Sequence, residues 1–183
     1  FPPELKLARP IHLTNLALHI PGLSIHALRL NRAQPEPVWT LHAHDRHGQL
    51  IIYLTGRGRQ LLDGQELECR PGSVVYVPPG TAHAWTHRMS TTPLALVLDL
   101  VLLPSRYTAH PVSVMPQAAL TQVKKAARSL AGLANPGQRE HLFSVAAAVM
   151  EIMSCAMQAA GWLKPYNRYG DANQQALVKF MER

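Results

Sequence analysis

Leu41-His42-Ala43-His44-Asp45-Arg46-His47-Gly48-Gln49-Leu50 and, further on, Gly72-Ser73-Val74-Val75-Tyr76-Val77-Pro78-Pro79-Gly80-Thr81-Ala82-His83 are the two stretches that decide how this chain folds. In an extended strand alternate side chains share a face, so His42 and His44 point the same way, with imidazoles close enough to share one ion. The second stretch delivers another histidine, His83, straight after the turn signal Pro78-Pro79-Gly80. A His-x-His pair alone carries little information. Its weight depends on what surrounds it.

From Ile11 to about Leu103 the sequence is a succession of short apolar runs broken by turn residues, with no amphipathic stretch long enough for a stable helix. The runs are Ile11 to Ile20, Ser24 to Leu30, Val38 to His42, Gln49 to Leu54, Gly58 to Leu62, Gln65 to Cys69, Ser73 to Val77, His83 to His87 and Leu94 to Leu100. Short strands in that number predict a sandwich or barrel. Asp63-Gly64 supplies the positive φ of a two-residue hairpin turn.

After Pro104 the pattern becomes helical. Leu120, Val123, Ala127, Leu130 and Ala134 recur at helical spacing between Pro116 and Leu133, and Asn135-Pro136-Gly137 supplies a stop. A second helix is expected over about Gln138 to Leu163, with Leu142, Val145, Val149, Ile152, Ala156, Ala159 and Leu163 in an a/d stripe and Phe143, Ala146, Met150, Met153 and Met157 beside it. A helix apolar on two sides must be covered twice, which predicts a homodimer through Leu142 to Leu163. Lys164 to Gly170 has the composition of a linker, and Asp171 with Gln174 opens a third helix as a capping box.

The 183 residues carry a net charge of +7, but their Lys and Arg are scattered and only Lys124-Lys125 are adjacent, which argues against a nucleic-acid surface within this chain. Cys69 and Cys155 form no metal-type or redox pair. The start Phe1-Pro2-Pro3-Glu4 lacks the basic and apolar regions of a targeting segment, and Leu94 to Leu103, interrupted by Asp99, is about half the length of a membrane-spanning helix. A cytoplasmic protein with no membrane contact is the expectation.

The two opening stretches resemble the paired motifs of the cupin superfamily: His42, His44, Gln49 and Gly56 for the first, Gly72, Pro78, Gly80 and His83 for the second. The resemblance implies a mainly β fold, an antiparallel cupin barrel of jelly-roll type over residues 1–110. Two to three α-helices follow, with a helical dimerisation segment over 111–165 and a linker and helix start over 166–183. It also implies that His42, His44, Gln49 and His83 converge inside the barrel, as metal ligands or as groups contacting an organic ligand, with Tyr53 and Trp85 as further lining. Gln49 replaces the usual glutamate and His87 the usual asparagine of the motif. Three imidazoles and an amide leave a divalent cation uncompensated, which weakens the metal reading and keeps the organic one open. If a metal binds, zinc or nickel suits imidazole nitrogen. His47 is expected to be solvent-exposed.

His-x-His with Gly-Gln-Leu soon after is similar to the sensor domains of AraC-type transcription regulators, which also carry helices after the barrel. That resemblance implies a dimeric domain sensing a small-molecule or metal effector, with no catalytic residues and with DNA contacted only through a C-terminal half not included here. The alternative is a metal-dependent cupin enzyme, a dioxygenase or isomerase, with a three-histidine site.

Overall fold

The computed structural model describes residues 11–32, 40–86, 93–102, 112–133 and 139–162. Among the described residues there are ten strands: β1 (His12–Leu13), β2 (Leu18–Ile20), β3 (Leu23–Arg32), β4 (Gly48–Thr55), β5 (Gly58–Leu62), β6 (Gln65–Cys69), β7 (Ser73–Val77), β8 (His83–Thr86), β9 (Leu94–Leu102) and β10 (Val112–Val114). Helices α1 (Gln117–Gly132) and α2 (Leu142–Ala159) follow, α2 preceded by a 3₁₀ turn at Arg139–His141. The expected third helix and linker lie outside the described residues.

A seven-stranded sheet runs β1-β3-β9-β4-β7-β10, with β2 also paired to β3, and a three-stranded sheet runs β6-β5-β8. Every pairing is antiparallel. This is the expected jelly-roll architecture with helices behind it. The hairpin at Asp63-Gly64 forms with φ of 47° and 80°, as that dipeptide requires. Two details differ from the sequence reading. Ile11 to Ile20 is two short strands because Asn15 takes φ 59° and turns the chain between them. Val112–Val114, placed by its sequence in the helical segment, instead extends the large sheet beside β7.

The central strand β4 is buried at all eight positions, so both faces of the large sheet are covered. One face, with Leu28, Leu30, Leu50, Ile52, Leu54, Leu96, Leu98 and Leu100, joins Leu120, Val123, Leu130, Val149 and Ile152 of the helices in the larger core. The other, with Ile51, Tyr53, Val75, Val77, Ala95 and Val97, meets Leu62, Cys69 and Trp85 of the small sheet in a second core.

Much of the helix stripe expected as a dimer seam over Leu142 to Leu163 is covered from within the chain. Val145, Val149, Ile152 and Ala156 are buried within the chain, as are Met153 and Met157 beside them. The two apolar sides of α2 are therefore largely taken up by α1 and the sheet. What stays outside is the start of the helix, Leu142 at 55% and Phe143 at 85% exposure. Residues Arg139–Ala159 have the length and apolarity of a membrane span. Their place in the larger core accounts for that apolarity.

Candidate functional site

The site sits at one end of the inner face, where the chain before β4 meets the start of β8. His42 and His83 form an antiparallel bridge, each backbone N–H donating to the other's carbonyl at 3.1 and 2.8 Å. Gly80, at φ 75° in the Pro-Pro-Gly turn, donates its N–H to the His44 carbonyl at 2.9 Å. These bonds hold His44 beside the pair although it belongs to no strand. Gly48 then brings the chain against Tyr76 and the Val77 carbonyl, where a Cβ would approach atoms to 2.9 Å. Gln49 follows at once, on the inner face opposite Asp99.

The three imidazoles converge. Ring centroids lie 5.0 Å apart for His42 and His44, 4.3 Å for His42 and His83, and 5.3 Å for His44 and His83. One nitrogen from each falls within 4.8 Å of the others, the spacing of a shared cation site. Gln49 joins them: its Oε1 is 3.1 Å from His83 Nε2. Together with Arg29, Asn31, Ile51, Trp85 and Val97 they line a cavity of about 360 Å³. Trp85 is thus a lining residue, as expected, whereas Tyr53 is not among the lining side chains. It lies deeper in the second core, its hydroxyl donating to Gln60 Oε1 at 3.4 Å.

Hydrogen bonds fix the proton positions. His42 Nδ1 faces the Thr40 carbonyl at 2.9 Å and His83 Nδ1 the Thr81 carbonyl at 3.0 Å. A carbonyl only accepts, so both Nδ1 atoms carry the proton and each neutral ring presents a bare Nε2 lone pair. Gln49 is fixed in the same way, because its Nε2 donates to Asp99 Oδ1 at 2.9 Å and its carbonyl oxygen must turn towards His83. Two lone pairs, on His83 Nε2 and Gln49 Oε1, therefore face each other at 3.1 Å. They need a proton or a cation between them. The His44 Nε2 atom is buried with no hydrogen-bond partner. Imidazole nitrogens converging in this way could hold a metal ion, with His42, His44 and His83 as the residues that would ligate it and the Gln49 carbonyl beside them.

Burial and neighbouring imidazoles also favour the neutral form of His44 and His83. Desolvation lowers the His44 pKa first, and His47, His83 and His42 lower it further against a partial opposing pull from Asp99. Desolvation likewise lowers that of His83, partly offset by its bond to Thr81.

Asp99, Arg29, Asn31 and His47 escaped the sequence reading. Asp99 supplies a carboxylate next to Gln49, from β9 and not from the motif, and outside the cavity lining. Its charge is shared with Arg29 of β3, whose Nη2 donates to Asp99 Oδ1. His47, expected in solvent, is half-buried, stacked on His44 with centroids 4.6 Å apart and its Nε2 3.8 Å from Asp99 Oδ1. The available signal was parity. Asp99 is the lone charge in an apolar strand, and its odd number places it with Ala95 and Val97 on the inner face.

Residues 32–101 match the family model for the cupin domain. Among solved structures, a cupin protein from Bacteroides fragilis is 21% identical, covering 53% of this chain and 79% of its own with a TM-score of 0.41. KdgF from Halomonas sp. is 20% identical over 49% of this chain and 76% of its own, with a TM-score of 0.36. YhaK from Escherichia coli is 16% identical over 59% and 51%, with a TM-score of 0.47. No curated protein matches the sequence.

Proposed function

We propose that this chain, whose residues 32–101 form a cupin domain, is the ligand-sensing domain of an AraC-type regulator and holds a divalent metal, zinc or nickel, at the mouth of its cavity. The observation that carries the metal part is the convergence of one ring nitrogen from each of His42, His44 and His83 to within 4.8 Å, beside the Gln49 carbonyl, with the His42 and His83 rings held in one tautomer by backbone carbonyls. Support for sensing comes from the large sheet. In β3, β4 and β9, residues that line the cavity alternate with residues that pack on α1 and α2, so a ligand on one face presses on strands whose next side chains touch the helices. The protein is placed in the cytoplasm on this reading, with DNA reached only through a separate C-terminal half. A homodimer is retained through the exposed start of α2, at Leu142 and Phe143, and light scattering would give twice the chain mass.

A metal-dependent enzyme of the dioxygenase or isomerase type is the second reading. His47 favours it, since a half-buried imidazole stacked on a ligand and 3.8 Å from a carboxylate is placed to hold or move a proton at Nε2.

Metal analysis of protein purified without a nickel column, set against His42→Ala and His83→Ala, tests the site. About one equivalent in the parent and none in the variants is the expected result. Equal content in all three excludes the cluster as its origin. Turnover of any small molecule by the metal-loaded protein would favour the enzyme.

A further inference from the structure

The geometry points to a carboxylate subsite in the cavity: Arg29 and Asn31 receive the carboxylate of a small organic acid whose carbon chain lies along Ile51, Val97 and Trp85. The inference rests on the reading of the cavity as a metal-centred binding pocket, and adds the class of molecule that enters it.

Charge comes first. A divalent ion among three neutral imidazoles and an amide carries its full charge, and the Arg29–Asp99 pair beside it sums to zero. Asp99 does not line the cavity; its carboxylate is occupied by Arg29 and Gln49. The loaded pocket is thus cationic overall and presents Arg29, not Asp99, to an incoming molecule.

The second argument is the balance of donors and acceptors. Arg29 has five N–H donors and directs one to Asp99, and its side chain, 25% exposed, is part of the cavity lining. Asn31 lies two residues along β3 on the same face and brings an amide. On the acceptor side, Gln49 Oε1 is turned to His83, and on this reading the lone pairs of the lining imidazoles are taken up by the metal. A donor-rich lining selects an acceptor-rich ligand, and the guanidinium fork matches the two oxygens of a carboxylate better than it matches a hydroxyl-bearing sugar.

Size and shape complete the case. About 360 Å³ is at the small end for ligand pockets, and Ile51, Val97 and Trp85 make much of its wall apolar. This suits a short carbon chain and leaves phosphate, compact and hydrated, poorly matched.

Calorimetric titration of the zinc-loaded protein with butyrate, butyramide and inorganic phosphate tests the subsite. Butyrate should bind at least tenfold more tightly than the other two. In Arg29→Gln butyrate binding should fall at least tenfold while zinc still binds, and Arg29→Lys, which keeps the charge but loses the fork, should fall between. Equal binding of butyrate and butyramide, tighter binding of phosphate, or undiminished butyrate binding in a folded Arg29→Gln protein overturns the inference and leaves the metal site standing. If Arg29→Gln fails to fold, Arg29→Lys decides alone. If zinc does not bind but butyrate does, in an Arg29-dependent way, the subsite stands and the metal-centred reading falls.

Discussion

The two faces of the large sheet are made by the same strands and do opposite jobs. On β4, Leu50, Ile52 and Leu54 face the helices in a wholly apolar layer, while Gln49, Ile51 and Tyr53 face the barrel, polar at the mouth and apolar further in. On β9, Leu96, Leu98 and Leu100 belong to the first layer and Ala95, Val97 and Asp99 to the second. One face holds the fold together and tolerates no polarity. The other spends polar groups on a site, Gln49 and Asp99 as partners of one another and Arg29 and Asn31 in the cavity lining. A substitution should therefore break stability or binding according to the parity of its position.

The largest effect is expected from Ile152→Asp. Ile152 is fully buried against the sheet and α1, and an unpaired charge there costs about 4 kcal/mol or more, a large share of a domain's whole stability. Circular dichroism should show loss of the folded state. A folded protein that only changes from dimer to monomer would restore the helix stripe as a subunit seam.

Asp99→Asn acts on the inner face. It removes the charge that fixes the Gln49 amide and pairs with Arg29, and outer partners of metal ligands typically matter by about tenfold in affinity. Zinc titration should show a loss of that order in a protein that still folds. An unchanged affinity would mean that Gln49 orients itself without Asp99.

How much of this was legible in sequence follows the same division. Resemblance to the paired cupin motifs marked His42, His44, Gln49 and His83, which lie in two short segments and include three conspicuous imidazoles. The hairpin at Asp63-Gly64 was legible because its backbone demands positive φ. Arg29, Asn31 and Asp99 were not, since they reach the site through β3 and β9, whose place beside β4 is set by sheet order and not by chain order. Asp99 looked like an interruption in an apolar run. His47 was misjudged because a loop residue's burial depends on what stacks on it. The stripe on α2 was real in period, but period does not say whether the covering partner is another chain or the same one.

Acid should separate the faces too. His44 and His83 have pKa values below the ordinary imidazole value of 6.5, so the unfolded chain takes up protons before the folded one as pH falls. Stability contributed by these neutral rings is therefore whole above about pH 6.5 and is lost as pH drops through the folded values. Thermal unfolding of metal-free protein should be flat from pH 8 to about 7 and decline below. His44→Asn should blunt that decline. An acid limb identical in the variant would assign it elsewhere.

Tyr53→Phe should have the smallest effect and tests how deep the site reaches. Tyr53 shares the inner face with Gln49 and Ile51, so parity alone would admit it to the pocket. Yet it is 1% exposed, its hydroxyl reaches Gln60 Oε1, and burial pushes its pKa up. Nearby Cys69 is also held protonated, its thiol pushed up to about 11 by burial. This is a buried polar pair inside the second core, below the cavity floor. Removing the hydroxyl breaks one long hydrogen bond and should lower stability by about 1 kcal/mol. Zinc and butyrate affinities should stay within about twofold, less than 0.5 kcal/mol. A stability loss without a binding loss would place the boundary of the site between Ile51 and Tyr53. A tenfold change in ligand affinity at unchanged stability would extend it one step further down β4.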